Sequence, residues 1–222
     1  MINRAASMTH FLDLDQCGNL TKRYFVAVPR RWREMRVFQI RIHGRGGQGV
    51  VTAAELLSVA AFKEGRHAQA FPSFGSERMG APVISFCRLD DKEIRLREPI
   101  QEPDALIIQD PTLLHSVDVF AGLKPTGYIL INSQRSFDEL GIADFIAGFP
   151  PHHVCDVGAS ELAMKHIGRP LPNAALLGGF AAISGEMKMD SVADAIMEKF
   201  PGAVGEANVA AAREAYEIAA KA

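Results

Sequence analysis

Cysteine is scarce: the 222 residues hold Cys17, Cys87 and Cys155, widely spaced and with no C-x-x-C pair. That argues against a zinc site or a cysteine-ligated iron–sulfur cluster built from this chain alone. An odd count without a secretion signal fits a reducing cytoplasm. Aromatics are few, 8% of residues, and are not interleaved with basic ones. Net charge is only −2, with 24 basic against 26 acidic residues. No global field favours nucleic acid or a membrane surface, and no stacking platform for bases is evident. No run reaches the roughly 18 apolar residues of a membrane-spanning helix. Internal repeats and low-complexity linkers are also missing.

What is present is a body able to fold. Hydrophobic residues make up 48% of the chain, and its length suits one large α/β domain or two small ones. The chain is organised around Arg41-Ile42-His43-Gly44-Arg45-Gly46-Gly47-Gln48-Gly49. An alternating run, residues 37–43, enters this stretch, and a helical pattern, residues 50–63, leaves it. A strand, a tight glycine turn and a helix start together make an anion site. The helix N-terminus offers free N–H groups and the positive end of its dipole. Glycines let the backbone approach a phosphate with no Cβ in the way. Gly44-x-Gly46-x-x-Gly49 matches the dinucleotide spacing, but no acid ends a second strand about 20 residues on to hold a ribose. No Gly-Lys-Ser/Thr follows, so this is not a Walker loop. Two readings of the glycines stand: a site for a phosphate-bearing ligand, or a tight turn with close packing.

Taken in order, residues 1–34 differ from the rest, with Arg30, Arg31 and Arg33 after a mixed polar run. Their preferred reading is a poorly ordered extension ahead of a start at Met35. The other reading is a basic arm that docks on a partner subunit. The helix over 50–63 should end at Gly65. Strands are expected at 67–71 and 83–89, forming an antiparallel hairpin across a Pro- and Gly-punctuated loop, with a turn at 90–92 into 93–96. Buried strands are expected at 104–110 and 128–131, the latter ending at Asn132-Ser133. Pro111 should open a short helix to about Phe120, and residues 137–140 should form a helical turn. A last strand spans 153–157. Helices follow at 159–166, 173–183, 190–200 and 203–222. Buried strands separated by helices specify an α/β fold: a three-layer α/β/α, Rossmann-like domain over 35–222, with a mixed, mostly parallel sheet.

Two motifs together are more specific than either alone. The glycine stretch, followed by Phe71-Pro72-Ser73-Phe74-Gly75-Ser76-Glu77-Arg78-x-Gly80-Ala81-Pro82, resembles the gamma subunit of 2-oxoacid:ferredoxin oxidoreductases such as pyruvate synthase. The resemblance runs from about Met35 to the C-terminus and is most specific in the first half. It implies a complex whose alpha and beta subunits decarboxylate a 2-oxoacid on thiamine diphosphate with magnesium. Iron–sulfur clusters, some in a ferredoxin-like delta subunit, would carry electrons to ferredoxin or another acceptor. Coenzyme A would take the acyl group. It also implies that this chain holds none of those cofactors alone, is inactive alone, and contributes to the coenzyme A region.

The residue chemistry suits that role. Coenzyme A is anionic through its diphosphate and 3′-phosphate. Gly44, Gly46, Gly47 and Gly49 offer backbone, Arg45 a charge, and Gln48 an amide that donates or accepts. The second motif adds Ser73, Ser76 and Arg78. Asn132 stands at a strand's C-terminal end, where open α/β sheets place ligands. For Arg78 and Glu77 an ion pair, local or across a subunit interface, competes with ligand contact. His152, His153, Cys155 and Asp156 do not make a metal cluster, because adjacent histidines point apart on a strand. Cys155 reads as a buried thiol. A free-standing nucleotide-binding dehydrogenase and a pure scaffold subunit are the competing functions.

Overall fold

The computed structural model describes residues 10–14 and 20–24 by their backbone, and residues 37–73 and 79–222 in full. The chain divides into two units, Met1–Arg36 and Val37–Ala222. In the first, strands β1 (His10–Leu14) and β2 (Leu20–Tyr24) pair antiparallel, His10 opposite Tyr24. The readings of Cys17, of the Arg30–Arg33 region and of a start at Met35 lie outside the described residues.

The second unit holds a six-stranded sheet. Its strands are β3 (Phe38–Arg45), β4 (His67–Pro72), β5 (Pro82–Asp90), β6 (Ala105–Ile108), β7 (Tyr128–Asn132) and β8 (Val154–Val157). Their spatial order is β4-β5-β3-β6-β7-β8. β5 runs antiparallel to both neighbours, while β3, β6, β7 and β8 are parallel to one another. This is the expected mixed, mostly parallel sheet. The expected hairpin is the β4–β5 pair, with Phe71 opposite Phe86.

β3 shows how sequence selects a face. Phe38, Ile40 and Ile42 point to one side and Gln39, Arg41 and His43 to the other. The first side is thickly covered by helices α1 (Val50–Lys63), α3 (Ala159–Ile167), α4 (Asn173–Ser184), α5 (Met189–Lys199) and α6 (Ala203–Ala219). The large core lies there. The second side is thin. A 3-10 helix (Pro111–His115) and the four-residue α2 (Ala143–Ile146) cover β6 and β7 over a smaller core of Ile108, Leu113, Ile129, Ile131 and Leu140.

Two details differ from the sequence-based expectations, each for a physical reason, and a third is met with one addition. The helix expected from Pro111 to about Phe120 closes after one 3-10 turn. Ser116, Val117, Asp118 and Val119 are all poor helix formers, two of them β-branched and two with short polar side chains. The Arg41 guanidinium also takes the Val119 and Ala121 carbonyls, at 2.9 and 2.6 Å. Residues 93–96 form no strand. The chain there crosses irregularly, held where Arg88 donates to the Glu98 carbonyl at 2.6 Å and Gln39 to the Glu102 carbonyl at 3.2 Å. The turn expected at 137–140 is set by Ser136 and Glu139, each bonding the other's backbone N–H, and α2 follows it. Among the described residues, no helix is long and apolar enough to cross a membrane.

α4 is buried on nearly all sides, and its two adjacent glycines serve different ends. A Cβ on Gly178 would collide with the backbone carbonyl of Ala212 on α6, so backbone meets backbone there. A Cβ on Gly179 would meet only side chains, Leu130 at 3.3 Å and Val157 at 3.5 Å, and needs them to give by no more than a few tenths of an ångström. Gly178→Ala should therefore cost at least about 1–3 kcal/mol through overpacking against an unyielding neighbour. Gly179→Ala should be nearly neutral, since alanine regains up to about 1 kcal/mol of helix propensity. Urea unfolding of the two variants checks the contrast.

His43 is 2% exposed, and its Nε2 accepts from Arg41 Nε at 3.0 Å. Burial first, and the Arg41 charge second, lower its pKa from 6.5 to about 3. The folded state keeps this imidazole neutral, whereas the unfolded chain protonates it below pH 6.5. Stability from this group is thus complete above pH 6.5 and is lost as pH falls from 6.5 towards 3, by about 1.4 kcal/mol per pH unit. His43→Gln keeps an acceptor for Arg41 and removes the titration. Unfolding measured across this pH range should show a shallower acid slope in that variant by about that amount per unit.

Candidate functional site

The sheet has a topological switch point between β3 and β6. From β3 the chain passes to β4 and β5 on one side, while β6 leads to β7 and β8 on the other. Crevices outside the carboxyl ends of strands at such a point are where open α/β sheets bind ligands. The glycine stretch lies at this place. Gln48 N–H donates to the Arg45 carbonyl at 3.0 Å, closing the turn. Gly46 N–H donates to Ala81 at 2.9 Å and Gly80 N–H to Gly46 at 3.1 Å. The second motif is thereby laced to the first.

The glycines divide by what surrounds them. A Cβ on Gly44 would lie 2.6 Å from Val50 Cγ2, and one on Gly49 would lie 2.5 Å from Asn173 Nδ2. Close packing explains both. Gly47 has a φ of 96°, a left-handed value that favours glycine, and among the described residues faces the Met79 side chain, which is 87% exposed. Gly49, with a φ of 75°, caps α1 without any side-chain bond, and the first turn of α1 carries no acid. The first bond into the helix is Ala53 N–H to Gly49 at 2.9 Å. Val50, Val51 and Thr52 therefore have no intrahelical acceptor.

A side-chain cluster stands at the mouth of the loop. Arg45 Nε donates to Asp110 Oδ2 at 3.1 Å, Nη1 to the Gly80 carbonyl at 3.0 Å and Nη2 to Thr112 Oγ1 at 2.8 Å. Gln48 Oε1 accepts from Arg45 N–H at 2.7 Å, and its Nε2 donates to the same Asp110 oxygen at 3.0 Å. The other Asp110 oxygen accepts from the Thr112 N–H, at 2.9 Å, and from its hydroxyl. Burial opposes ionisation of Asp110. The Thr112 hydroxyl and N–H, the Gln48 amide and the Arg45 charge outweigh it and hold the carboxyl below its usual range.

Other expected site residues fall elsewhere. Asn132 is at the carboxyl end of β7, but its amide is engaged within the fold. Nδ2 donates to the Gln109 carbonyl and to Ser160 Oγ, each at 2.8 Å, and Oδ1 accepts from Ser160 N–H at 3.0 Å. It ties β6 and β7 to the start of α3. Ser73 directly follows β4, with β5 between it and the glycine loop. Ser76, Glu77 and Arg78 lie outside the described residues. Asp110, Thr112 and Gln109 were not singled out from sequence. The signal for Asp110 was present: it stands just beyond the end of a buried parallel strand, as Asn132 stands at the end of another. Gln109 is fully buried, and neither its Nε2 nor its Oε1 has a hydrogen-bond partner.

Metal chemistry finds little here. Among the described residues, no three His, Cys, Asp or Glu side chains gather as a metal site. Burial pushes the Cys87 thiol up to about 12 and the Cys155 thiol up to about 11, so neither offers a thiolate. His153 stacks on Tyr128, with ring centres 4.1 Å apart, and does not join Cys155.

Known proteins share this architecture and sequence. The family model for pyruvate ferredoxin/flavodoxin oxidoreductase matches residues 39–218. The common gamma subunit of the pyruvate/ketoisovalerate oxidoreductases of Thermococcus kodakarensis is 48% identical over 180 residues, 81% of this chain and 96% of that one. A pyruvate synthase subunit PorC of Methanothermobacter thermautotrophicus is 45% identical, over 82% of this chain and 95% of that one. The crystal structure of a pyruvate oxidoreductase subunit from Thermotoga maritima superposes with a TM-score of 0.69 at 32% identity, covering 82% of this chain and 97% of that one. Matched along nearly all of its second unit, the chain belongs to the pyruvate ferredoxin/flavodoxin oxidoreductase family.

Proposed function

We propose that this chain is the gamma subunit of a cytoplasmic, multisubunit, thiamine diphosphate-dependent 2-oxoacid:ferredoxin oxidoreductase, and that its glycine loop forms part of the coenzyme A region. Its partners on this reading are alpha and beta catalytic subunits and a ferredoxin-like delta subunit. Relatives named as subunits of pyruvate and ketoisovalerate oxidoreductases support an assembly over a free-standing dehydrogenase. The observation that carries the coenzyme A part is Arg45, set beside the open N-terminus of α1 at the switch point. Among the described residues Arg45 donates through Nε, Nη1 and Nη2, and at 30% exposure it stands oriented at the mouth of the loop.

On this reading the thiamine, magnesium and cluster chemistry belongs to the partner subunits. The described residues offer no metal donor set, and both described cysteines are buried, protonated thiols. On this reading the reaction's bond-breaking occurs in the partners, and this chain binds and orients. The scaffold alternative keeps one supporting fact: packing alone accounts for Gly44 and Gly49.

Two outcomes are expected. The purified single chain should show no 2-oxoacid oxidation; turnover without partners would end the subunit reading. In the intact complex, Arg45→Ala should raise the KM for coenzyme A by on the order of tenfold, as expected for loss of a charge-assisted contact. Decarboxylation of the 2-oxoacid should stay near wild type. Gly47→Ala should act in the same direction, with added backbone strain from its positive φ. Subunit content must be checked first. Normal assembly with unchanged coenzyme A dependence in both variants would leave the scaffold reading standing.

A further inference from the structure

β4 is an outer strand of the sheet and pairs with β5 alone. Ser73 N–H donates to the Ile84 carbonyl at 2.8 Å, and bonded pairs alternate along an antiparallel ladder. Phe71, Gln69 and His67, opposite Phe86, Arg88 and Asp90, therefore turn their backbone groups towards β5. Ala68, Ala70 and Pro72 turn theirs away from the sheet. Proline has no N–H, so a row of two donors and three carbonyls is left, none of them bonded among the described residues. Proteins usually blunt such an edge with charge, proline or brevity. The opposite edge, β8, is four residues long and carries Asp156. β4 has six residues, no Lys, Arg, Asp or Glu, and a proline only at its end.

The same edge carries an apolar surface. α1 packs over β4, and Phe62, near the C-terminal end of that helix, is 76% exposed. Beside it lies a groove of about 560 Å³ lined by Ser58, Val59, Phe62, Lys63, Ala68 and Glu198. The two charges in its wall are matched to each other, Lys63 Nζ to Glu198 Oε2 at 2.8 Å. A projecting ring and a groove to receive one thus stand in a single patch. A surface of that kind fits a second copy of itself across a two-fold axis.

We propose that β4 is an interface between two copies of this chain, which pair antiparallel about a two-fold axis at Gln69 and join their sheets edge to edge. The free groups set the register. With Gln69 opposite its counterpart, Ala68 exchanges both bonds with Ala70 of the other copy, and Ala70 with Ala68. Every outward N–H is then used, in four bonds, and nothing is asked of Pro72. Centring the pair on Ala70 sets the proline ring against the Ala68 carbonyl. Centring it on Ala68 brings Ala70 to Arg66, whose N–H is already given to the Ala61 carbonyl at 3.1 Å. The axis stands perpendicular to the sheet, so both α1 helices lie on one face and each Phe62 is carried towards the other copy's groove. The glycine turn is on the far side of β5, and the inference does not rest on its ligand.

The test combines sedimentation of the full chain with cross-linking. The chain is expected to sediment as a dimer that dissociates on dilution. Ala70→Pro removes one outward N–H from each copy and none of the bonds to β5, and Phe62→Glu puts a charge where the ring meets the groove. Each should weaken the dimer by more than about tenfold. Phe62 is a surface residue, so its variant keeps the test decisive if Ala70→Pro does not fold. A chain that stays monomeric, a dimer that survives both changes, or an open series of larger oligomers overturns the inference, since a two-fold pair closes. Gln69 and its counterpart would be a non-hydrogen-bonded pair, with Cβ atoms about 4.5–5.5 Å apart. Air oxidation should therefore link two copies of Gln69→Cys. The thiols of His67→Cys would be roughly 13 Å apart, and that variant should stay at the level of the unsubstituted chain. Equal linking in both variants, or in neither, overturns the register and the pairing with it. The Gln69→Cys link is expected in the assembled complex as well; a link seen only in the lone chain would mean that another subunit covers this edge, and the inference would fail.

Discussion

One carboxylate joins the parts of the site. Asp110 collects Arg45 and Gln48 from the turn after β3 and Thr112 from the turn after β6. These pieces are more than 60 residues apart in the chain and become neighbours only because β3 and β6 pair in parallel, Ile42 beside Ile107. An ionised group at 13% exposure is costly to hold unless its partners are charged or are strong donors, and here they are both. Removing one partner leaves the rest incompletely satisfied, so loop, helix start and second strand end behave as a unit. Through Gly80 the same guanidinium reaches the second motif, so the two stretches that stand out in the sequence share one anchoring side chain.

The two faces of the sheet divide the work. Five helices and the main core lie on one side and make the platform firm. On the other side, irregular chain is held by buried polar side chains. Arg41 ties β3 to the Val119 and Ala121 carbonyls, and Arg88 ties β5 to the Glu98 carbonyl while lying 5.3 Å over the Phe71 ring. Peptide carbonyls replace water as partners for these two guanidiniums, whose charged forms burial disfavours. Helix dipoles and the strands' carboxyl ends meet on the firm side, which is where Gln109 is buried.

Much of this was legible from the residues. The alternation of β3, the wholly apolar β6 and β7, and the glycines ending α1 and α3 are local signals, and each element formed where its pattern said. The glycine loop was legible as a turn onto a helix for the same reason. What was not legible depends on partners distant in sequence. Asn132 has the right position for a ligand contact, but its amide is consumed by Ser160, 28 residues later. The short helix after Pro111 was cut off by an arginine on β3, which no local window contains. Asp110 carried the same strand-end signal as Asn132. Its neighbours Arg45 and Gln48 follow from the strand order; the antiparallel hairpin was legible, but not that β5 rather than β4 pairs with β3.

That inserted strand has a consequence for how the chain assembles. β4 is bonded to β5 alone, and β5 lies between it and β3. The α1 connection therefore spans two strand spacings, roughly 10 Å, and delivers β4 to a place with nothing to pair against until β5 arrives. The β4–β5 hairpin is a short-range closure, cheap in chain entropy, whereas pairing β5 with β3 closes a loop of about 40 residues. Loop-closure entropy thus favours the hairpin closing before it pairs with the parallel strands. Because β5 begins at Pro82, opposite Arg45, the pairing of β5 with β3 is also what gives the glycine turn its second wall.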